Sequence, residues 1–208
     1  MHYLAYVLIP AEGDVDDLVA EAMEPYDENR EVEPITEDGE TWWHNPVGFW
    51  DWYQIGGRWT GNLSGYDPYE DPELLEECRL CQGTGFRNDS VGQGFRAHSP
   101  DYTCNGCDGK GKHLLWPSQF PRHAGDVQEA LVILPALTED KTPFSFIVHG
   151  SESVAHKEHY EPGESIGDGK FIEDFPPDRM LALMYRTIAA RREAGHEGDR
   201  LIVVDYHS

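Results

Sequence analysis

Apolar positions along the chain fall into runs and periods that define a small set of elements. Residues 2–9, HYLAYVLI, form an aromatic and branched run that stops at Pro10, the pattern of a buried strand. Val15, Leu18, Val19, Ala22 and Met23 then recur at helical spacing, with Asp14 placed to cap a short amphipathic helix and Pro25 to end it. Residues 26–41 show no period and read as an acidic surface loop. Farther on, FWDWYQIGGRWTGNL alternates about Gly56-Gly57, a pair that supplies the positive φ angles of a tight turn, so two antiparallel strands are predicted there. The Pro-punctuated SGYDPYEDPELLEE that follows reads as a linker.

In the second half, Ala130 to Leu137 and Phe144 to His149 predict two strands joined by the turn-prone TEDKTP. A second helix is expected from Pro177 to Ala194. Pro177 suits its first turn, Leu181, Met184, Tyr185 and Ile188 form its apolar stripe, Arg191 and Arg192 complement the dipole at its end, and Gly195 offers a stop. LIVVDY at 201–206 closes the chain as an apolar strand. This order implies an α+β fold, a mainly antiparallel sheet with two helices on one face, of which a ferredoxin-like arrangement is one form. The expected division is an α+β domain of residues 1–77 and 114–208 with residues 78–113 inserted as a zinc-binding hairpin. At 208 residues the chain has room for one sizeable domain carrying such an insertion.

Charge narrows the choice of partner. Sixteen Lys and Arg against 39 Asp and Glu give a formal charge of −23, which opposes binding to phosphate backbones, so direct nucleic-acid binding is disfavoured. Residues 11–40 hold thirteen of the acids against Arg30 alone, a local charge of −12. A solvated acidic surface accounts for this; a basic protein partner, or mimicry of DNA by residues 12–40, is the alternative. A hydrophobic content of 39% with 12% aromatics argues for a folded chain. The N-terminus lacks the pattern of a secretory signal and no apolar run reaches membrane-spanning length, so a cytoplasmic protein is expected, with no membrane partner.

The four cysteines carry the strongest chemical signal. Cys78, Cys81, Cys104 and Cys107 form two C-x-x-C pairs, and each such turn presents two sulfurs at the separation one metal ion requires. Both pairs are followed by glycines at matching offsets, CRLCQGTG at 78–85 and CNGCDGKG at 104–111, which let the backbone curl beneath the sulfurs. One structural zinc held by four thiolates is the expected cofactor; free buried thiols or disulfides are the alternative. Four cysteines would close the coordination shell, which does not suit a catalytic zinc. The C-x-x-C-x-G-x-G signature resembles the cysteine-rich domain of DnaJ-type co-chaperones. That family has four repeats for two ions, where this chain has two repeats, enough for one, and no His-Pro-Asp motif. The resemblance therefore implies a zinc knuckle and not co-chaperone activity.

Five of the six tryptophans lie between Trp42 and Leu63. Trp50, Trp52, Tyr53, Arg58 and Trp59 combine flat apolar faces with one guanidinium, a set able to stack a base and clamp an anion, with His149 as a further candidate. The alternative is that these aromatics fill the core and pair across strands. The string WDWYQIGGRWTG is similar to a motif in uncharacterised small bacteriophage proteins, a resemblance that implies a host-takeover or anti-defence factor acting in the host cell. His149, His156 and His159, near Glu152, Glu158 and Glu161, read as solvated loop residues, with a second metal site or an acid/base group as the alternative. No phosphate-binding loop, dinucleotide fingerprint, nucleophile elbow or zinc-protease motif is present. The sequence thus points to a zinc-stabilised, non-catalytic binding protein for a host protein or a small nucleotide-like ligand. An enzyme acting on a nucleotide or phosphorylated compound, using Arg58 with one of the histidines, and an acidic DNA mimic are the rivals.

Overall fold

The computed structural model describes residues 1–151, 154–157, 172–175 and 177–208. In chain order its elements are β1 (His2–Ile9), α1 (Val15–Met23), β2 (Ile35–Glu37), β3 (Glu40–Trp42), β4 (Trp52–Ile55), β5 (Leu75–Glu77), α2 (Ser90–His98) and β6 (Lys112–Leu114). There follow β7 (Val127–Glu129), α3 (Ala130–Ile133), β8 (Ser145–Val148), β9 (Val154–Lys157), β10 (Ile172–Phe175), α4 (Pro177–Glu193) and β11 (Arg200–His207). The chain divides into two compact units, Met1–Tyr66 with Arg122–Ser208, and Asp67–Pro121.

The first unit is built on a mixed sheet in the order β10-β9-β8-β1-β11-β4, with β7 also paired to β11. β1 lies at its centre, parallel to β8 and antiparallel to β11. β7 pairs with the first residues of β11 and β4 with its last four, so the two short strands share one edge in tandem. The order β1-α1-β8-β9-α4-β11 matches the β-α-β-β-α-β succession of a ferredoxin-like chain. In the sheet, however, β8 sits beside β1 and β9 lies beyond it, so the comparison goes no further than the order of elements.

Alternation along β1 explains its unbroken apolar run. Leu4, Tyr6 and Leu8 pack with Leu201 and Val203 against Met180, Met184 and Ile188 of α4. Ala5, Val7 and Ile9 pack with Ile202, Val204 and Tyr206 against Val19, Ala22 and Met23 of α1. Successive residues of a strand point to opposite faces, so α1 and α4 cover opposite sides of the sheet and β1 is buried on both. The expectation of helices on one face is thereby corrected.

Helix α1 begins where Asp14 accepts hydrogen bonds from the amides of Asp16 (2.9 Å) and Asp17 (3.2 Å) at Oδ1. Asp14→Ala is expected to lower stability by about 1 kcal/mol, read as a fall in the urea midpoint at unchanged slope. Helix α4 ends at Gly195, whose φ of +90° lets the amides of Gly195 and His196 return to the carbonyls of Arg192 and Arg191.

Three sequence expectations are overturned. The segment around Gly56-Gly57 is not a hairpin. Only Trp52–Ile55 is a strand, and it pairs with β11; the two glycines, at φ +78° and +56°, turn the chain into a single helical turn at 57–59. Residues 130–137 form α3 and a following helical turn rather than a strand, because a short apolar run containing Pro135 carries no period that separates the two. The acidic stretch read as loop holds a hairpin of β2 and β3 turned at Asp38-Gly39, both with positive φ, and closed by Thr36 and Thr41 hydroxyls 3.1 Å apart. Among the described residues no helix is long and apolar enough to cross a membrane.

Candidate metal centre

In the unit Asp67–Pro121, β5 pairs antiparallel with β6 to make a short stem, and the first cysteine follows β5 directly. The two cysteine turns above the stem are near copies of one another. Gln82 and Asp108 stand at φ +51° and +49°, Gly83 and Gly109 at +76° and +79°, and Gly85 and Gly111 both at +75°. They also clasp each other. The Cys78 amide donates to Gly111 O at 2.9 Å, and the Cys104 amide to Gly85 O at 2.8 Å. A Cβ on Gly85 would lie 2.4 Å from Gly109 O, and one on Gly111 2.3 Å from Gly83 O, so this approach admits only glycine.

All four cysteines are buried, and their Sγ atoms lie within 4.8 Å of one another. The Cys78–Cys104 and Cys81–Cys107 pairs are 3.8 and 3.7 Å apart. A tetrahedral ion with bonds of about 2.3 Å to sulfur places neighbouring sulfurs about 3.8 Å apart, so the donor set fits one zinc-sized ion. The Gly111 amide points at Cys107 Sγ at 3.2 Å. Burial pushes the Cys78 thiol up, but the amides of Cys81 and Leu80 and the sulfurs of Cys104 and Cys81 outweigh it and bring it down to about 7. Burial and the neighbouring sulfurs push Cys107 up to about 11 against the Gly111 amide. Burial opposes ionisation at both thiols, and a bound cation would offset that cost. The four cysteines can hold one metal ion and leave no open position on it.

The chain matches no family model, no curated protein and no solved structure.

The aromatic candidates are dispersed. Trp50 is buried, donates from Nε1 to Met23 O at 2.9 Å and meets the Tyr53 ring edge-on on the α1 side of the sheet. Trp59 packs on the α4 side. Trp52 is exposed, as is Arg58, whose backbone amide donates to Asp205 Oδ2 at 3.0 Å. His149 Nε2 meets Glu21 Oε2 at 2.9 Å on the surface. His156 was expected in a solvated loop but belongs to β9 and is buried. Its Nδ1 lies 2.8 Å from Ser145 Oγ, which also meets Tyr206 OH at 2.7 Å, and its Nε2 has no partner among the described residues. Burial lowers its pKa to about 4, so the ring is neutral at pH 7. His159, Glu152, Glu158 and Glu161 lie outside the described residues.

Two buried carboxylates that the sequence reading passed over organise this region. Asp126 accepts from the Gly61 amide (2.8 Å) and the Thr60 hydroxyl (3.0 Å), and Asp205 accepts from Arg58. An aspartate inside the apolar run LIVVDY was the signal for the second. A Cβ on Gly57 would fall 2.6 Å from Asp205 Cβ, at a φ already unfavourable to other residues. Gly57→Ala is expected to cost about 2 kcal/mol, measured by denaturant unfolding, with metal content unchanged.

Proposed function

We propose that this chain is a zinc-stabilised, non-catalytic protein-binding module, with Cys78, Cys81, Cys104 and Cys107 holding one structural zinc ion and residues 67–121 engaging a protein partner. The observation that carries the reading is an inversion of the usual arrangement. Among the described residues of this unit the buried cluster is the four cysteines, while Leu80, Phe86, Val91, Phe95 and Trp116 are exposed. The metal would supply most of the core, beside the buried Leu74 and Phe120, and the exposed Leu80, Val91 and Trp116, with the open faces of Phe86 and Phe95, are accessible to a partner. Val91 and Phe95 are four apart on α2 and share one face.

The DnaJ-like signature supports the zinc, and the phage resemblance fits either a host protein or a small signalling nucleotide as the partner. The small-ligand alternative has less support, because Trp50 and Trp59 pack into opposite layers of the core. The enzyme alternative needed Arg58 and the histidines to converge, and His156 is buried while Arg58 is exposed.

Native mass spectrometry with a metal assay tests the first half, with one zinc per chain expected and its absence fatal to the proposal. For the second half, photo-crosslinking in producing cells should give one discrete protein adduct with the natural chain. The variant Val91→Glu/Phe95→Ser, with zinc retained, should lose it. An adduct indifferent to that variant would remove α2 from the binding surface.

A further inference from the structure

The end of the sheet where β1 begins and β11 finishes carries a side-chain group that the cysteine centre does not use. His2 is the partner of His207 in the β1–β11 pairing, and His207 is the partner of Trp52 in the β11–β4 pairing. Directly paired residues project to the same face, so the three form a row across three strands. The imidazole centroids are 5.4 Å apart, and the Trp52 ring stands edge-on 5.8 Å from that of His2.

Each imidazole is oriented by a carboxylate. His2 Nδ1 lies 2.9 Å from Asp205 Oδ1, and His207 Nδ1 lies 2.8 Å from Asp51 Oδ1. An ionised carboxylate only accepts, so each Nδ1 carries its proton and each Nε2, in the neutral ring, presents a lone pair. The Asp205 carboxylate and the Asp51 backbone are fixed in turn. Asp205, fully buried, takes the Arg58 amide on its other oxygen, and the Asp51 amide donates to His207 O at 3.1 Å. Neither Nε2 has a hydrogen-bond partner among the described residues.

We propose that His2 and His207 together bind one divalent transition-metal ion of the zinc or nickel class through their Nε2 atoms. Two imidazoles bound at about 2.05 Å to one tetrahedral ion have ring centres about 5 Å apart, close to the separation found here. A carboxylate on the far nitrogen is the partner that metal-bound histidines usually have, since it fixes the tautomer and raises ligand basicity. The side chains of His2 and His207 are 29% and 40% exposed, which leaves the remaining coordination positions to water. Nitrogen donors and an open shell set this site apart from the four thiolates. It also gives Asp51 and the Gly57-Arg58 turn a shared purpose, since each holds one histidine in place.

The test titrates the full chain, carrying one zinc at the cysteine centre, with Ni²⁺ by calorimetry and by NMR of the imidazole nitrogens, while zinc release is monitored. One further equivalent should bind, with a dissociation constant below about 100 µM, and perturb the Nε2 signals of His2 and His207. His2→Gln and His207→Gln should each weaken binding at least tenfold, and His149→Gln should leave it unchanged. Asp51→Asn, on the surface, should weaken it about tenfold without abolishing it. No uptake below 1 mM, uptake matched by zinc loss, or binding indifferent to His207→Gln would each overturn the proposal.

Discussion

Removing the metal from the four cysteines, by chelation or by Cys104→Ser, is expected to unfold residues 67–121 and leave the sheet around β1 and β11 folded. Among the described residues the two large apolar clusters contain none from 67–121, so the sheet does not draw its core from that unit. The unit itself has the cysteine cluster in place of an apolar centre. Binding free energy at a structural zinc site is on the order of 10 kcal/mol at neutral pH and becomes folding free energy, which exceeds what a three-residue stem and a nine-residue helix can supply. Hydrogen exchange gives the readout. Amides of 67–121 should lose protection on chelation, those of β1 and β11 should keep theirs, and equal loss in both regions would refute independence.

The second large effect is a loss of stability in mild acid that traces to His156. An ordinary histidine takes up its proton near pH 6.5, whereas burial holds this one neutral down to about pH 4. Between those values the unfolded chain binds more protons than the folded one, so stability falls as the pH falls. The whole interval corresponds to about 3 kcal/mol. His156→Gln, which keeps a partner for Ser145, should flatten the decline between pH 6.5 and 4. Because thiolates that hold a metal ion also protonate in acid, the measurement belongs on the amides of β8 and β1. A variant with the same pH slope as the natural chain would assign the acid sensitivity to other groups.

The elements legible in the sequence were those whose pattern is long or chemically unambiguous. β1 and β11 showed as apolar runs because both faces of each are covered. α1 and α4 showed through period and punctuation, and the cysteines through spacing alone. The misread segments are short, and one of them owes its form to a distant partner. Trp52–Ile55 looked like half of a local hairpin but pairs with β11, about 150 residues away, since Asp126 and Asp205 draw the chain after Gly56 into a turn. The pairing of His2 with His207 was likewise invisible, because it depends on a register between two strands far apart in sequence. The Asp38-Gly39 turn had a clear local signal, overlooked amid the surrounding acids.

That central pairing also fixes an order of events during synthesis. β1 and β11, which lie against one another, are separated by residues 10–199, so their pairing cannot form until all of that stretch has been made. The cysteine turns are only 26 residues apart and find every partner within their own unit. They can take up their ion and close while β11 is still unmade. The cysteine unit can therefore be complete before the central strand pair of the sheet exists.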